Sequence, residues 1–179
     1  KLKVARGWDL EMLQTIRATF PKTTFHIDCN SGYTLDDLPM FKAIDKLGLA
    51  FIEQPLHHTD VLDHAELAQK IETPICLDES ITGVKSARDA LRVKACKYIN
   101  IKPGRIGGLS NAIEVHNLCA DAGIPVWVGG MLESALGASF CIELATLPNF
   151  TYPGDLFPSA NWYVEDLSSP PLELTSRNT

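Results

Sequence analysis

Short apolar runs alternate with longer amphipathic stretches along the chain. The short runs cover Thr24 to Asp28, Leu49 to Glu53, Ile75 to Asp78, Tyr98 to Lys102, Pro125 to Val128 and the neighbourhood of Thr151 to Gly154. Each has about the length of a strand and is apolar nearly throughout, which is how a parallel strand covered on both faces reads. Between them, apolar positions fall at helical spacing. Asp9 to Phe20 carries Leu10, Leu13, Ile16 and Phe20, and Asp37 to Leu47 carries Leu38, Phe41 and Ile44. Further helices are predicted over Asp63 to Ile71, Ser86 to Val93, Ser110 to Ala122 and Ser134 to Leu147. Ser or Asp opens many of them, as N-caps do. Gly48 and Gly123 stand where a helix would stop before a strand.

Strand–helix alternation predicts an α/β fold with a parallel sheet, either doubly wound or a barrel. The repeat is uniform and no GxGxxG follows the first strand, which favours the barrel. A complete (β/α)₈ barrel takes about 250 residues. This chain has 179 and shows six strands after a stub at Lys1 to Val4. The expectation is one partial barrel domain over residues 1–179, running from the end of strand two to strand eight, with an irregular tail at 168–179.

Composition adds exclusions. The chain is 45% hydrophobic and 21% charged, with a net charge of −6. That sign argues against nucleic acid as the main partner, though not against an anionic small molecule. No apolar run approaches the ~20 residues of a membrane span, and no apolar stretch follows Lys1-Leu-Lys3 as in a secretory leader. Cys29, Cys76, Cys96, Cys119 and Cys141 form no CxxC pair, so buried free thiols and a cytoplasmic location are expected. His57-His58 reads as a surface loop, and Trp8, Trp127 and Trp162 as core or interface.

The strand ends change the picture most. Lys3, Asp28, Glu53, Asp78 and Lys102 follow one another at intervals of 25, 25, 25 and 24 residues. One βα unit separates each from the next, so in a parallel barrel they converge on the C-terminal mouth. A lone acid after an apolar strand is usually a cap or a solvated loop residue. Three in phase on consecutive strands would repel unless a cation lay between them. An all-oxygen set suits Mg²⁺, with Mn²⁺ as the alternative, and no Cys or His at an equivalent position offers a zinc ligand. Lys1 and Lys3 alternate, so on a strand they share a side, and two close ammonium groups would depress one pKa and make one lysine a usable base. Lys102 closes an apolar strand, where a lysine needs a partner or a role. Metal plus lysines suggests removal of the proton α to a carboxylate, with the enediolate stabilised by the metal's charge.

Lys1-Leu-Lys3, Asp28-Cys-Asn30, Phe51-Ile-Glu-Gln-Pro55, Leu77-Asp-Glu-Ser80 and Ile101-Lys-Pro-Gly-Arg-Ile-Gly-Gly-Leu109 resemble, in order and spacing, the muconate-lactonizing subgroup of the enolase superfamily. The resemblance implies Asp28, Glu53 and Asp78 as Mg²⁺ ligands and Lys3 and Lys102 as an acid/base pair on opposite sides of the metal. It makes Lys1 the first lysine of the KxK motif, and Asn30 and Glu79 groups behind the metal ligands. Val128-Gly-Gly-Met-Leu-Glu-Ser-Ala-Leu-Gly137 is similar to the seventh-strand loop of o-succinylbenzoate synthases and N-acylamino acid racemases. By that likeness Gly129, Gly130, Met131, Glu133 and Ser134 line the substrate pocket, the glycines letting backbone approach a ligand, while a simple turn capped by Ser134 remains compatible. The implied activity is the dehydration that yields o-succinylbenzoate in menaquinone synthesis, or racemisation of N-acylamino acids. Dipeptide epimerases of the family carry Asp-x-Asp near the eighth strand, where this chain has only Asp155. The family's N-terminal capping domain and first strand have no counterpart in these residues. A barrel piece with exposed edges is therefore expected, poorly active alone or associating into a homo-oligomer; a catalytically silent structural module is the competing expectation.

Overall fold

The computed structural model describes residues 1–170 together with 172 and 173. Contacts gather into two compact units, Lys1–Ile99 and the residues from Asn100 onward. In the first unit, β1 (Leu2–Lys3), β2 (Ile27–Asp28), β3 (Ile52–Glu53), β4 (Ile75–Leu77) and the start of β5 (Tyr98–Ile101) pair in chain order, all parallel. The crossovers carry α1 (Asp9–Thr19), α2 (Leu38–Asp45), α3 (Val61–Ala68) and α4 (Val84–Arg92). The parallel α/β architecture is the expected one.

Register decides which side chains share a face. Lys3 pairs with Asp28 and Asp28 with Glu53, so these three stand abreast. Glu53 pairs with Cys76 and Cys76 with Tyr98, so each later strand reaches two residues further along the same face. The opposite face carries Ile27, Ile52, Ile75 and Leu77, all buried, as are Leu13, Phe41, Ile44 and Leu67 of the helices. Branched aliphatics on a two-sided sheet are what hold such short strands.

The helices start earlier than their Ser and Asp residues suggest. α3 begins at Val61 behind Asp60, and α4 at Val84 behind Gly83. Ser86 lies inside α4, its Oγ accepting from the amides of Thr82 and Gly83. Asp9 likewise lies in the first turn of α1, where an acid favours the positive end of the helix. Gly48 and Gly123 do end helices, with φ of +64° and +67°. Arg17 staples α1 to two loops. Its guanidinium donates to the carbonyls of Leu47 (2.8 Å), Thr23 (2.8 Å) and Gly48 (3.1 Å) and lies over the Phe25 ring.

The second unit holds the end of β5, a short α5 (Pro103–Ile106), α6 (Leu109–Asp121), β6 (Val126–Val128) and α7 (Ala135–Ala145). The predicted helix from Ser110 thus starts at Leu109 behind Gly108. Ser134 does precede α7, but its side chain makes no capping bond; the Asp166 carboxylate takes the Ala135 amide instead. The strand expected around Thr151 to Gly154 does not form. Only isolated bridges join Val126 to Phe150 and Gly129 to Asp155, because Pro153 has no amide hydrogen to give a ladder.

All five cysteines are buried free thiols. His57 and His58 are exposed, as expected of a loop, whereas only Trp127 of the three tryptophans is core; Trp8 and Trp162 are half exposed. Leu136 and Phe140 leave an apolar stripe of α7 open to water. No described helix is long and apolar enough to cross a membrane. Of the predicted tail, Ser168–Pro170 with residues 172 and 173 carry no helix or strand, and the remainder lies outside the described residues.

Candidate active site

Four charged side chains meet at the ends of β1 to β3. The Lys1 ammonium bridges Asp28 Oδ2 and Glu53 Oε2 at 2.9 Å each. Lys3 Nζ donates to Asp28 Oδ2 at 2.6 Å and to Asn30 Oδ1 at 2.5 Å. Asn30 in turn donates through Nδ2 to Glu79 Oε1 at 3.1 Å, and its amide donates to Asp28 Oδ1 at 3.0 Å. Both Asn30 and Ser31 adopt positive φ, which folds the loop after β2 back over Asp28. Lys1 and Lys3 thus reach the same carboxylate, and Lys3, Asn30 and Glu79 form one chain of hydrogen bonds.

Beneath the acids lies an aromatic layer. His26 stacks on Phe51 with centroids 4.3 Å apart, and Phe51 meets Tyr98 at 5.0 Å. His26 Nε2 faces Glu53 Oε2 at 3.6 Å. The layer keeps water away from below, which strengthens every charge interaction above it. His26 escaped the sequence reading, although its place two residues before Asp28 puts it on the same face.

Electrostatics follow from burial and partners. Asp28 and Glu53 are at most 1% exposed. Burial pushes the Asp28 carboxyl up, but Lys3, Lys1 and the Asn30 amide outweigh it and hold it below its ordinary range. Burial likewise raises Glu53, while His26 and Lys1 bring it below its ordinary value despite the neighbouring Asp28 charge. Burial works against the charge on Lys1, yet Glu53 and Asp28 lift its pKa above that of an ordinary amine. The expectation that the lysine pair depresses one pKa is not met at Lys1, because two carboxylates touch it.

Asp78 is also buried, 2% exposed. It directly follows β4, two residues beyond the position abreast of Glu53. Among the described residues no group of three His, Cys, Asp or Glu side chains is gathered as metal ligands are; the negative charge of Asp28 and Glu53 is met by ammonium groups instead. The donor chemistry nonetheless suits a hard divalent cation. Every donor is a carboxylate oxygen, a cation already bridges two of them, and Glu79 Oε2 is buried with no hydrogen-bond partner among the described residues.

In the second unit, Lys102 follows β5 and precedes α5, its carbonyl accepting from the Arg105 and Ile106 amides. Gly129 and Gly130 stand against close neighbours. A Cβ on Gly129 would lie 2.1 Å from Asn100 Oδ1, and one on Gly130 2.2 Å from the Asp155 carbonyl oxygen. Met131 is exposed, and its amide donates to both oxygens of Glu133. Glu133 lines an open cavity of about 500 Å³ with Gly107, Gly108, Phe140 and Cys141; Gly129, Gly130, Met131 and Ser134 do not line it.

The chain matches the Enolase C-terminal domain-like family over residues 1–176. It is 49% identical over 171 residues to an N-succinylamino acid racemase of Amycolatopsis, covering 95% of this chain and 46% of the relative. An o-succinylbenzoate synthase of Geobacillus stearothermophilus is 46% identical over 174 residues, covering 97% and 46%. Among solved structures, an enolase superfamily member from Listeria innocua superposes with a TM-score of 0.89 at 39% identity, covering 97% of this chain and 47% of its own. The chain thus spans about half the length of the relatives it matches. Parallel strands in chain order with Lys3, Asp28 and Glu53 abreast, and this agreement over nearly every residue, lead to one conclusion: the chain belongs to the Enolase C-terminal domain-like family.

Proposed function

We propose that the chain is the base- and metal-bearing part of an enzyme that removes the proton α to a carboxylate and passes through an enediolate, acting as an o-succinylbenzoate synthase. The observation that carries this reading is the Lys3 ammonium held between Asp28 and Asn30 beside two buried, cation-bridged carboxylates. A base there needs an orienting partner and a neighbouring positive charge, and both are present. Asp28, Glu53 and Asp78 would hold Mg²⁺, which when bound supplies a Lewis-acid charge for the substrate carboxylate. Lys3, as the neutral amine, takes the α-proton and becomes the ammonium that Asn30 and Asp28 hold in place. Lys102 carries the second role, as a cation near the developing charge in dehydration or as the proton donor in racemisation. The aromatic layer of His26, Phe51 and Tyr98 keeps bulk water from the acids.

Racemisation of N-acylamino acids is the second reading, favoured by the relatives named N-succinylamino acid racemase. Both reactions use the same two lysines, and they differ in whether a leaving group departs after the proton does. The full-length protein assayed with Mg²⁺ for both reactions separates them. Formation of o-succinylbenzoate supports the first reading. Racemisation alone moves the assignment to the second, and neither activity removes the enzymatic reading in favour of a structural module. A homo-oligomeric assembly is part of the proposal, tested by sedimentation of the same preparation.

A further inference from the structure

Gln54 follows Glu53 and is fully buried. Its φ of +38° is one that residues other than glycine seldom adopt. That conformation lets one residue reach three neighbouring strand ends. Its amide donates to the Cys76 carbonyl at 2.8 Å, and its carbonyl accepts from the Ser31 amide at 2.9 Å. In the side chain, Oε1 accepts from the amides of Asp78 (3.0 Å) and Ser80 (3.2 Å). Nε2 donates to Ser80 Oγ (2.8 Å) and to the Leu56 carbonyl (3.1 Å). Two amide hydrogens pointing at one atom require it to be the oxygen, so the orientation of the side chain is determined. His64 closes the far side: Nε2 accepts from the Leu56 amide at 3.2 Å, and Nδ1 donates to the Asp60 carbonyl at 2.9 Å.

Asp78 is buried just after the strand beside Glu53, and Gln54 grips the backbone on which it stands on both sides of Glu79. We propose that Gln54 is a positioning residue that sets the Asp78 carboxylate for cation binding, rather than a plain loop staple. The inference rests on the reading of Asp28, Glu53 and Asp78 as a Mg²⁺ site. A buried, fully satisfied amide in a strained conformation suits a position where a small error in a neighbouring ligand is costly.

The test is titration calorimetry of the full-length protein with Mg²⁺ alone, beside melting and amide exchange measured in chelator. Gln54→Met, which keeps the volume and removes every side-chain hydrogen bond, is expected to weaken Mg²⁺ about 10- to 100-fold and to lose exchange protection at Asp78 and Ser80. Ser80→Ala, which frees one donor of Gln54, is expected to weaken it about fivefold, the weight of roughly one neutral hydrogen bond. Arg17→Lys lowers melting far from these amides and is expected to keep affinity within about threefold, as distant independent changes do. Gln54→Met binding Mg²⁺ like the parent, or affinity that merely tracks melting across all three variants, overturns the inference. If Gln54→Met does not fold, Ser80→Ala decides: unchanged affinity overturns it. A parent that takes up no Mg²⁺ removes the metal reading itself, and a binding parent with indifferent variants removes only the role of Gln54.

Discussion

Replacing Lys1 by Met removes the cation that Asp28 and Glu53 share. Both carboxylates are buried and both contact Lys1 at 2.9 Å. Breaking a buried ion pair from one side costs about 3–5 kcal/mol, since the remaining charge keeps its desolvation penalty. The Lys1 side chain is 26% exposed, and Lys3 still neutralises part of Asp28, so about 2–3 kcal/mol is expected. At a urea slope of about 2 kcal/mol/M, the unfolding midpoint of the full-length protein in chelator falls by about 1 M. Saturating Mg²⁺ should narrow that gap. Mg²⁺ stabilises both proteins, so the gap closes only by the affinity the variant gains; with no ammonium competing for the same oxygens, about thirtyfold tighter binding closes about 2 kcal/mol. The difference between parent and Lys1→Met in Mg²⁺ is then under about 1 kcal/mol. Urea unfolding followed by circular dichroism, with and without Mg²⁺, measures both gaps. A loss of the same size in both conditions, or none in chelator, would refute the reasoning.

Three further outcomes follow from the packing. Asp45 accepts from the amides of Glu72 and Thr73; burial raises its carboxyl, but these bonds hold it below its ordinary 3.8. Its contribution is present above about pH 4 and is lost as pH falls through the depressed folded value. The melting difference between parent and Asp45→Asn should therefore be constant from neutral pH down to about 4 and close below it. Gly130→Ala puts a methyl against the Asp155 carbonyl, a backbone atom that cannot swing away, and should cost about 3 kcal/mol in urea unfolding. Arg17→Lys keeps the charge but loses the fork that serves the Leu47, Thr23 and Gly48 carbonyls among others, so a loss of about 2 kcal/mol is expected by the same method.

The strands that carry acids were legible because an apolar run ending in a charged residue is unusual, and a repeat of 25 residues has few explanations besides one βα unit per step. Asn30 and Glu79 were legible only through the resemblance, since their role is a hydrogen-bond chain between loops that no local pattern announces. Gln54 was hidden for the same reason: a polar residue after a strand reads as loop until burial shows its amide spent on four partners. The eighth strand was over-read because apolar content around Tyr152 hid the missing amide of Pro153. Helix starts were misplaced where Ser and Asp sit inside the first turn, as Ser86 does. The closeness of Asn100 and the Asp155 backbone to the glycines after β6 is a contact across loops that the local sequence does not announce.

The central claim is that Lys3, oriented by Asp28 and Asn30, takes the proton α to a carboxylate. Proton exchange at that carbon tests it directly. Full-length protein and its Lys3→Ala variant are incubated with Mg²⁺ and an N-succinylamino acid in D₂O, and deuterium at the α-carbon is followed by NMR. The account predicts exchange by the parent and a loss of about 10²- to 10⁴-fold in the variant, the weight of a general base, with the variant still folded and still binding Mg²⁺. Exchange in Lys3→Ala within tenfold of the parent would contradict it.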